Sequence, residues 1–414
     1  MRIAIIGAGI SGMVAAYLLH EDHNVVVFEA NDYIGGHTHT IDVTHNEVIY
    51  PVDTGFIVFN TKTYPHFLTL MQRLGVAWQN SNMSFSVINE KTGLEFCPTS
   101  LNSLFAQRRN LVRPSFYRML LDAFRFRRES EALLSQDSYQ TTLTEYLKAN
   151  RYSESFIQDF IIPMGAAIWS TDPKKFSEFP ARYFVEFFRN HGFLNVRNQP
   201  QWLVIKGGSS QYIDPLTKSY RNQIRLNHPV ESVQRFPDRV EVKTRNGEKA
   251  RFDQVIIAAH SDQALAMLAD PSEAERDILE VMAYQPNLTI LHTDSSILPR
   301  RKIAWASWNY HIPRKETEGV AVTYNMNKLQ SLDAPVTFCV TLNRADLIAP
   351  EQVIQTFQYH HPVYTPQSLH KREQRDAING VNRTYFCGAY WGYGFHEDGV
   401  DSALAVCQHF GKTL

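Results

Sequence analysis

Short apolar runs and a helical stretch alternate at the start of the chain. Residues 1–6 form an apolar run of strand length, and residues 25–28 form a second run rich in β-branched side chains. Between them, residues 13–20 carry a pattern typical of a helix. A strand, a helix and a strand in this order predict an α/β fold in which the two strands lie parallel and the helix connects them.

The turn after the first run is rich in glycine and follows the spacing G-x-G-x-x-G. Gly7 permits the tight turn, Gly9 lets a pyrophosphate approach the backbone, and Gly12 lets the helix pack closely on the strand. The start of the helix offers unpaired N–H groups and a positive dipole end to phosphates. Glu29 ends the second strand, where a carboxylate accepts hydrogen bonds from a ribose. Together these features predict a dinucleotide-binding site.

The segment after the second strand indicates which dinucleotide is bound. It begins at Ala30 and contains the run Gly35, Gly36, His37 and Thr38. Here the chain resembles the flavin-dependent amine oxidase and phytoene desaturase superfamily, and it is most similar to the bacterial family of predicted NAD/FAD-binding, amine oxidase-like proteins. In that superfamily the Gly-Gly pair passes close to the pyrophosphate of FAD, and arginine usually stands where this chain has His37. NAD-only dehydrogenases lack such a segment, so the resemblance implies FAD.

Three later segments carry the same resemblance, at residues 51–56, 226–260 and 385–404. In the superfamily, the first lies beside the isoalloxazine ring, and the second pairs with adenine and returns to the dinucleotide fold. The third begins a helix at the O2 edge of the flavin. The resemblance therefore implies that FAD is held by Gly7, Gly9, Ile10, Ser11, Gly12, Glu29, Ala30, Gly35, Gly36, His37, Thr38, Gly55, Phe56, Val230, Ala258, Ala259, Gly388, His396, Asp398, Gly399 and Val400.

The order of these segments predicts how the chain is organised. The resemblance implies an α/β fold with a Rossmann-like, glutathione reductase-like FAD-binding domain and an interleaved α+β substrate domain. We expect the FAD-binding domain to be discontinuous and to comprise residues 1–60, 200–285 and 375–414. The substrate domain then comprises residues 61–199 and 286–374. With 414 residues, the chain is long enough for two such domains.

Composition and charge are those of a globular protein with no general attraction to nucleic acid. Hydrophobic residues make up 44% and charged residues 20% of the chain, and the formal net charge is −1. The four cysteines include no C-x-x-C pair, so neither a disulfide framework nor a metal site is expected. The chain starts inside a predicted strand and has no apolar run of the ~20 residues that a membrane helix needs. We therefore expect a cytoplasmic protein that binds no nucleic acid.

Residues 101–128 differ from their neighbours because arginines alternate with aromatic and aliphatic side chains. This stretch has seven arginines and one acidic residue, Asp122. A basic amphipathic segment of this kind is typical of helices that lie on an anionic membrane surface. The alternative is a helix of the substrate domain whose arginines are solvated or paired within the protein. Peripheral contact with the inner face of the membrane is thus one of two interpretations left open.

Residues that assist the chemistry leave a weaker trace, because flavin performs the redox step itself. In amine oxidases a strand lysine holds a water near the flavin N5, and the resemblance puts Thr289 at that position. His396 and Glu397 open the last predicted helix and are the candidate catalytic residues for proton transfer, with capping and pyrimidine-edge contacts as the alternative. Cys387 precedes Gly388 and does not lie in the loop where oxidases attach flavin, so FAD is expected to bind non-covalently.

Three functions are compatible with these features. The first is an FAD-dependent oxidoreductase that dehydrogenates, saturates or isomerises a carbon–carbon bond of a hydrophobic small molecule or lipid, such as a fatty-acyl chain. It depends on the desaturase branch of the resemblance, the missing lysine and an aromatic-rich stretch at residues 156–188. The second is a flavin amine oxidase, although residues 61–199 show no acidic cluster for a polyamine. The third is a flavin-binding partner of a lipid-modifying enzyme, without turnover of its own.

Overall fold

Strands and helices alternate along the chain in the computed structural model, which describes residues 1–135, 138–195, 199–315 and 317–414. The strands are β1 (Arg2–Ile6), β2 (Asn24–Phe28), β3 (Thr40–His45), β4 (Val48–Asp53), β5 (Val58–Asn60), β6 (Trp78–Asn80), β7 (Phe85–Asn89), β8 (Leu94–Phe96), β9 (Trp202–Ile205), β10 (Ile224–Arg225), β11 (Val230–Arg235), β12 (Val240–Thr244), β13 (Lys249–Phe252), β14 (Gln254–Ile257), β15 (Tyr284–His292), β16 (Trp308–Ile312), β17 (Val322–Asn325), β18 (Cys339–Leu342), β19 (Val353–Pro362) and β20 (Thr384–Phe386). The helices are α1 (Ile10–Leu19), α2 (Pro65–Leu74), α3 (Leu101–Leu104), α4 (Pro114–Glu129), α5 (Leu143–Ala149), α6 (Glu154–Phe156), α7 (Ile162–Trp169), α8 (Pro173–Phe176), α9 (Ala181–Asn190), α10 (Ile213–Thr217), α11 (Ser261–Met267), α12 (Glu273–Leu279), α13 (Met326–Leu329), α14 (Pro366–Arg372) and α15 (His396–Gln408). Within the described residues, none of these helices combines the length and the apolarity that crossing a bilayer requires.

Five of these strands form a parallel sheet in the order β10-β2-β1-β14-β20. β1 lies at its centre, where Ile5 pairs with Val27 on one side and with Ile256 on the other. Both faces of β1 are covered, and its residues 3–6 are at most 5% exposed. A strand that is buried on both faces needs apolar side chains throughout, which explains the continuous apolar run at the start of the chain.

A separate layer covers each face of the parallel sheet. On one face, α1, α2 and α15 share a core that includes Val14, Phe67 and Val400. On the other face lies the antiparallel sheet β11-β12-β13, which packs through Val242. The strands of the parallel sheet come from the segments predicted to form the FAD-binding domain, and the domain boundaries themselves stay a prediction. α2 and β6 pack in the first layer although they lie between residues 61 and 199, because β6 pairs with β9.

A mixed seven-stranded sheet, β19-β15-β18-β17-β16-β7-β8, forms a second centre of the fold. Its neighbouring strands are antiparallel, except that β16 and β7 run parallel. Tyr310, Val322 and Val340 on one face share a core with helices that include α7 and α9. The aromatic-rich stretch at residues 156–188 supplies much of this core, with Phe156, for example, fully buried.

A buried ion pair joins the antiparallel sheet β11-β12-β13 to helix α12. Arg235 on β11 donates to both carboxylate oxygens of Glu275 on α12, at 2.6 and 2.9 Å. The two side chains are 3% and 1% exposed, so neither charge is screened by water. Removing one partner of such a pair leaves the other charge buried without compensation.

We predict that Arg235→Met lowers the free energy of unfolding by about 3 to 5 kcal/mol, because Glu275 then has no cationic partner. Arg239→Met is the matched control, since Arg239 is 34% exposed and its ion pairs lie at the surface. We expect that control to change stability by less than about 1 kcal/mol. Urea unfolding of both variants measures the difference, and equal losses would contradict the prediction.

Candidate functional site

The first glycine turn brings the backbone of α1 unusually close to the parallel sheet. Gly7 has a φ of +104°, and a Cβ there would lie 2.6 Å from the carbonyl oxygen of Ala258. A Cβ on Gly12 would lie 2.0 Å from the carbonyl oxygen of Gly7. Around Gly9, in contrast, a Cβ would meet no atom within 4 Å. The backbone at the start of α1 is therefore open to a ligand, as the spacing of the glycines predicts.

Glu29 is fixed at the end of β2 by backbone amides. Its carboxylate accepts hydrogen bonds from the N–H of Ala8 at 2.7 Å and from the N–H of Asn31 at 2.9 Å. Each oxygen keeps lone pairs for a further donor. The backbone N–H of His228 donates to the backbone carbonyl of Glu29. The segment that leads into β11 at Val230 therefore runs beside Glu29. This arrangement suits an adenosine, with Glu29 available to its ribose.

The second glycine turn crosses the first. The N–H of Gly35 donates to the carbonyl of Ala8 at 3.0 Å. Gly36 has a φ of +61°, and a Cβ there would lie 3.2 Å from the Cα of Gly9. A Cβ on Gly55 would lie 2.2 Å from the carbonyl oxygen of His37. The predicted glycine segments thus meet around one space, where the backbones of several loops are close together.

A buried polar network lies beside these turns. The Nε2 of His396 lies 3.0 Å from the hydroxyl of Thr38 and 3.1 Å from that of Tyr212, and the two hydroxyls also bond each other. The imidazole stacks on Phe56 with ring centres 3.5 Å apart. Burial holds the pKa of His396 well below its ordinary value, so the ring is neutral. A neutral ring of this kind positions its neighbours and is unsuited to act as a general acid near pH 7.

The start of α15 lies against the start of α1. Ser11 donates its hydroxyl to the carbonyl of Gly399 at 2.9 Å, and a Cβ on Gly399 would lie 2.7 Å from a methyl group of Ile10. Asp398 accepts the N–H of Phe395 at 2.8 Å, and burial raises the pKa of this carboxyl to about 6. The N-termini of two helices therefore come together here, and both present positive dipole ends.

Glu397 points away from this space. Its two oxygens accept the N–H groups of His66 at 2.8 Å and of Phe67 at 2.9 Å, at the start of α2. The imidazole of His66 lies 2.6 Å from Asp401, which places a hydrogen-bonded group at the surface. Of the two roles that the sequence left open for Glu397, this position favours capping.

A group of histidines lines the far side of the Gly-Gly turn. His37 lies 5.4 Å from His361 of β19 and 6.3 Å from His260, measured between ring centres. Burial lowers the pKa of His37 to about 4 and that of His260 to about 3, so these rings are neutral. In the place where the superfamily usually has arginine, His37 therefore supplies no fixed positive charge, and the helix N-termini supply the positive potential.

Two site residues, Tyr212 and Asp53, were not among the sequence-based candidates. Tyr212 joins the network from a short helical turn before α10, and no motif marks it. Asp53 is the last residue of β4, is fully buried and accepts the N–H and hydroxyl of Ser209, both at 2.8 Å. Burial raises the pKa of Asp53 to about 6. A carboxylate that directly precedes a glycine turn is the only signal that the sequence offers for it.

Thr289 lies fully buried on β15, which contains no lysine. It shares a face of the strand with Asn287, because side chains two residues apart point to the same side. Asn287 donates to the carbonyl of Ser170 at 3.0 Å and lies 2.9 Å from the Nδ1 of His361. This face of β15 therefore looks toward the histidine group.

Comparison with known proteins identifies the family. Residues 10–337 match the model of the flavin containing amine oxidoreductase family, and the chain belongs to that family. It is 26% identical over 265 residues to bovine amine oxidase B, covering 62% of this chain and 49% of that protein. It is 24% identical over 265 residues to the flavin-dependent L-tryptophan oxidase RebO of Lentzea aerocolonigenes, covering 59% of this chain and 54% of that one. The chain spans about half the length of these relatives.

Solved structures share the whole fold. A putative protoporphyrinogen oxidase from Exiguobacterium sp. 255-15 superposes with a TM-score of 0.71 at 18% identity, covering 99% of this chain and 98% of that one. A CLA-producing fatty acid isomerase from P. acnes gives a TM-score of 0.67 at 16% identity, with coverage of 99% and 98%. These comparisons confirm the predicted resemblance and α/β fold class, and family membership confirms FAD as the predicted cofactor.

The site fits FAD on its own geometry. A side chain at Gly9 would meet no atom within 4 Å, so the backbone there is free to face a pyrophosphate. Glu29 has lone pairs for a ribose, and the start of α15 lies against the start of α1. When bound, FAD accepts or returns a hydride at N5. The residues of this chain would hold the dinucleotide along the two glycine turns and exclude water through the buried groups around His396.

We predict that Gly9→Ala and Gly12→Ala separate cofactor binding from folding. At Gly9 the added methyl enters only open space, so stability changes by less than about 1 kcal/mol while FAD affinity falls at least about tenfold. At Gly12 the methyl overlaps the backbone of Gly7, and unfolding becomes easier by about 3 kcal/mol. Urea unfolding of the apoprotein and titration with FAD measure the two effects. Unchanged FAD affinity in Gly9→Ala would refute the assigned phosphate position.

A second prediction concerns the pH dependence of stability. Burial raises the pKa of Glu397 from an ordinary value of 4.5 to about 7. Between these two pH values the folded state therefore binds more protons than the unfolded state. Stability should therefore fall as the pH rises through this interval, and Glu397→Gln should remove a part of that fall on the order of 1 to 3 kcal/mol. Urea unfolding from pH 4.5 to 7.5 tests this against Asp376→Asn, a carboxylate 87% exposed. The same slope in Glu397→Gln and in the wild type would contradict it.

Proposed function

We propose that this chain is an FAD-dependent oxidoreductase that dehydrogenates, saturates or isomerises a carbon–carbon bond in a fatty-acyl chain or similar lipid. Bound FAD would supply the redox chemistry: in a dehydrogenation it would take a hydride while the neighbouring carbon releases a proton, a saturation would be the reverse, and in an isomerisation the hydride would return to another carbon of the same chain. The observation that carries this proposal is the aromatic character of the residues beside the start of α15, with Arg372 among them, together with Thr289 in place of a lysine.

A layer of aromatic rings extends from the helices of the second core to the residue before His396. We call this set the aromatic layer, and it consists of Trp169, Phe179, Tyr183, Phe187, Tyr364, Tyr393 and Phe395. The ring of Phe187 lies 4.6 Å from Trp169 and 5.3 Å from Phe395, between centres. Such rings bind methylene groups by dispersion and burial of apolar surface. These rings pack against one another in the second core, and our proposal is that the acyl chain binds along them toward the start of α15.

The charge within the aromatic layer disfavours an ammonium substrate. Arg372 donates to the hydroxyl of Tyr183 at 2.7 Å and to the carbonyl of Gly392 at 2.9 Å, and its guanidinium lies 5.0 Å from the centre of the Tyr183 ring. Burial raises the pKa of the nearby carboxyl of Asp398 to about 6, so this group is still mostly ionised near pH 7, and Arg372 offsets its charge. A cation already bound among the rings repels a protonated amine and attracts an anionic head group.

Amine oxidation is the second candidate, because the relatives include amine oxidase B and a tryptophan oxidase. The fatty acid isomerase among the structural neighbours shows that this fold accommodates a lipid reaction in another protein. β15 contains no lysine, which argues against amine oxidation. A third candidate is a flavoprotein partner of a lipid-modifying enzyme, which would bind FAD without reducing it.

The candidates predict different responses of the FAD-loaded protein under anaerobic conditions. We expect phospholipids with unsaturated chains to change the visible flavin absorbance or to be recovered with altered double bonds, as measured by mass spectrometry. We expect a polyamine and an aromatic amine to leave the flavin oxidised and, in air, to release no hydrogen peroxide. Flavin reduction by amines alone would overturn the proposal, and a flavin inert to every substrate would favour the partner role.

Phe395→Ala sharpens this test within the aromatic layer. If the acyl chain binds along the aromatic layer, removing the ring next to His396 takes away apolar contact area and should raise the KM for an acyl substrate about tenfold, with FAD content unchanged. Phe236→Ala is the matched control, since Phe236 lies on the β11–β12 turn and packs under Arg239. Equal effects of the two variants would remove the aromatic layer from the substrate site.

A further inference from the structure

We propose that one face of this protein docks on the surface of an anionic phospholipid bilayer. The face, which we call the basic–apolar face, consists of the exposed side chains of residues 101–128 and of residues 300–303. It is an interaction surface additional to the FAD site, and it does not depend on which substrate the protein uses. Three segments contribute to it: helix α4, the residues that precede α4, and residues 300–303.

α4 contributes a row of exposed apolar side chains. Tyr117, Leu121 and Phe124 are 42%, 65% and 62% exposed. Their spacing of four and three residues places them on one side of the helix. The opposite side is buried through Phe116 and Met119. Phe116 and Met119 therefore pack α4 onto the protein core, and the exposed row is not needed for that packing.

The segment before α4 continues this surface. Leu111 and Val112 are 48% and 83% exposed, and Leu101 at the start of α3 is 78% exposed. The hydroxyl of Tyr117 donates to the carbonyl of Leu111 at 2.9 Å, which holds the turn against α4. The ring of Phe105 lies 6.1 Å from that of Tyr117 and joins α3 to the same group. The exposed apolar side chains thus form one continuous surface.

A distant segment of the chain extends the surface beyond α3. Residues 300–303 are Arg300, Arg301, Lys302 and Ile303, all exposed, with Ile303 at 46%. This turn packs against α3, and the next residue, Ala304, shares a small buried cluster with residues 97 and 106. Nearly two hundred residues separate it from α3 in sequence, so only the fold brings these cations beside Leu101.

The charges of the face are compensated only in part, because Arg118, Arg125 and Arg128 pair with Asp122 and Glu129. Within the part of the chain that the structure describes, Arg108, Arg109 and Arg113 have no carboxylate at ion-pair distance, and their recorded bonds go to neutral oxygens. Arg118 is paired, with Asp122 at 3.3 Å, yet it stays 56% exposed. The protein as a whole has a formal net charge of −1, so this excess of cations is local.

Exposed aliphatic and aromatic side chains among unpaired arginines distinguish a bilayer from other polyanions. A nucleic acid or an acidic protein would attract the arginines but leave Leu101, Val112 and Leu121 in water. A bilayer with anionic head groups attracts the arginines at its surface and accepts the apolar side chains into the acyl boundary. The bilayer is therefore the partner that satisfies both halves of this surface.

Sedimentation with vesicles tests the proposal on the full FAD-loaded chain. We expect binding to vesicles of phosphatidylcholine with a quarter of phosphatidylglycerol, little binding to phosphatidylcholine alone, and a loss of affinity in high salt. The double variant L121S/F124S should weaken binding at least about tenfold, because two apolar side chains no longer leave water. R300E/R301E should weaken it to a similar extent by reversing charge in the distant segment.

V48S/I49S is the matched control, since Val48 and Ile49 are 50% and 61% exposed on the β3–β4 hairpin, outside this face. It should bind vesicles as the wild type does. Unchanged flavin content and urea unfolding show that each variant is folded. The proposal is overturned if the wild type ignores anionic vesicles, if neither face variant weakens binding more than the control does, or if a DNA duplex binds as tightly as the vesicles.

Discussion

The close approach of backbone to backbone at the crossed glycine turns is the constraint on which this structure depends. Any side chain at Gly12 would overlap the carbonyl of Gly7, and one at Gly36 would press on the Cα of Gly9. With these side chains absent, α1 lies directly on the sheet and its N-terminus opens toward the pyrophosphate position. Gly399 allows α15 to approach from the other side. The cofactor site is thus made mainly of backbone.

The second core of the fold is tied to the same turns. The hydroxyl of Tyr359 on β19 lies 2.8 Å from the hydroxyl of Thr54 and 2.8 Å from the Nδ1 of His39. The ring of Tyr359 also lies 5.2 Å from that of His37. These contacts position the edge strand of the seven-stranded sheet directly on the loops that hold FAD. The edge of the seven-stranded sheet is therefore fixed in position beside the loops predicted to hold FAD.

Most polar side chains near the site are buried and neutral. Burial lowers the pKa of His37 and of His396, and it raises that of Tyr212. Positive potential comes from the starts of α1 and α15, and the aromatic layer holds one guanidinium, that of Arg372. An environment of this kind binds an anionic dinucleotide without fixed cations at the turn.

The sequence by itself determined the α/β class and indicated FAD as the cofactor, because both depend on local spacing, and it predicted the residues of the glycine turns. Gly7, Gly9 and Gly12 lie within one turn, and Glu29 follows the next strand, so the pattern of a few residues predicts their geometry. Tertiary structure decided which groups complete the site. Tyr212 reaches Thr38 only after folding, and no periodicity records that contact. The partners of Glu397, the amides that begin α2, were likewise decided by the fold, because partners distant in the chain leave no local signal.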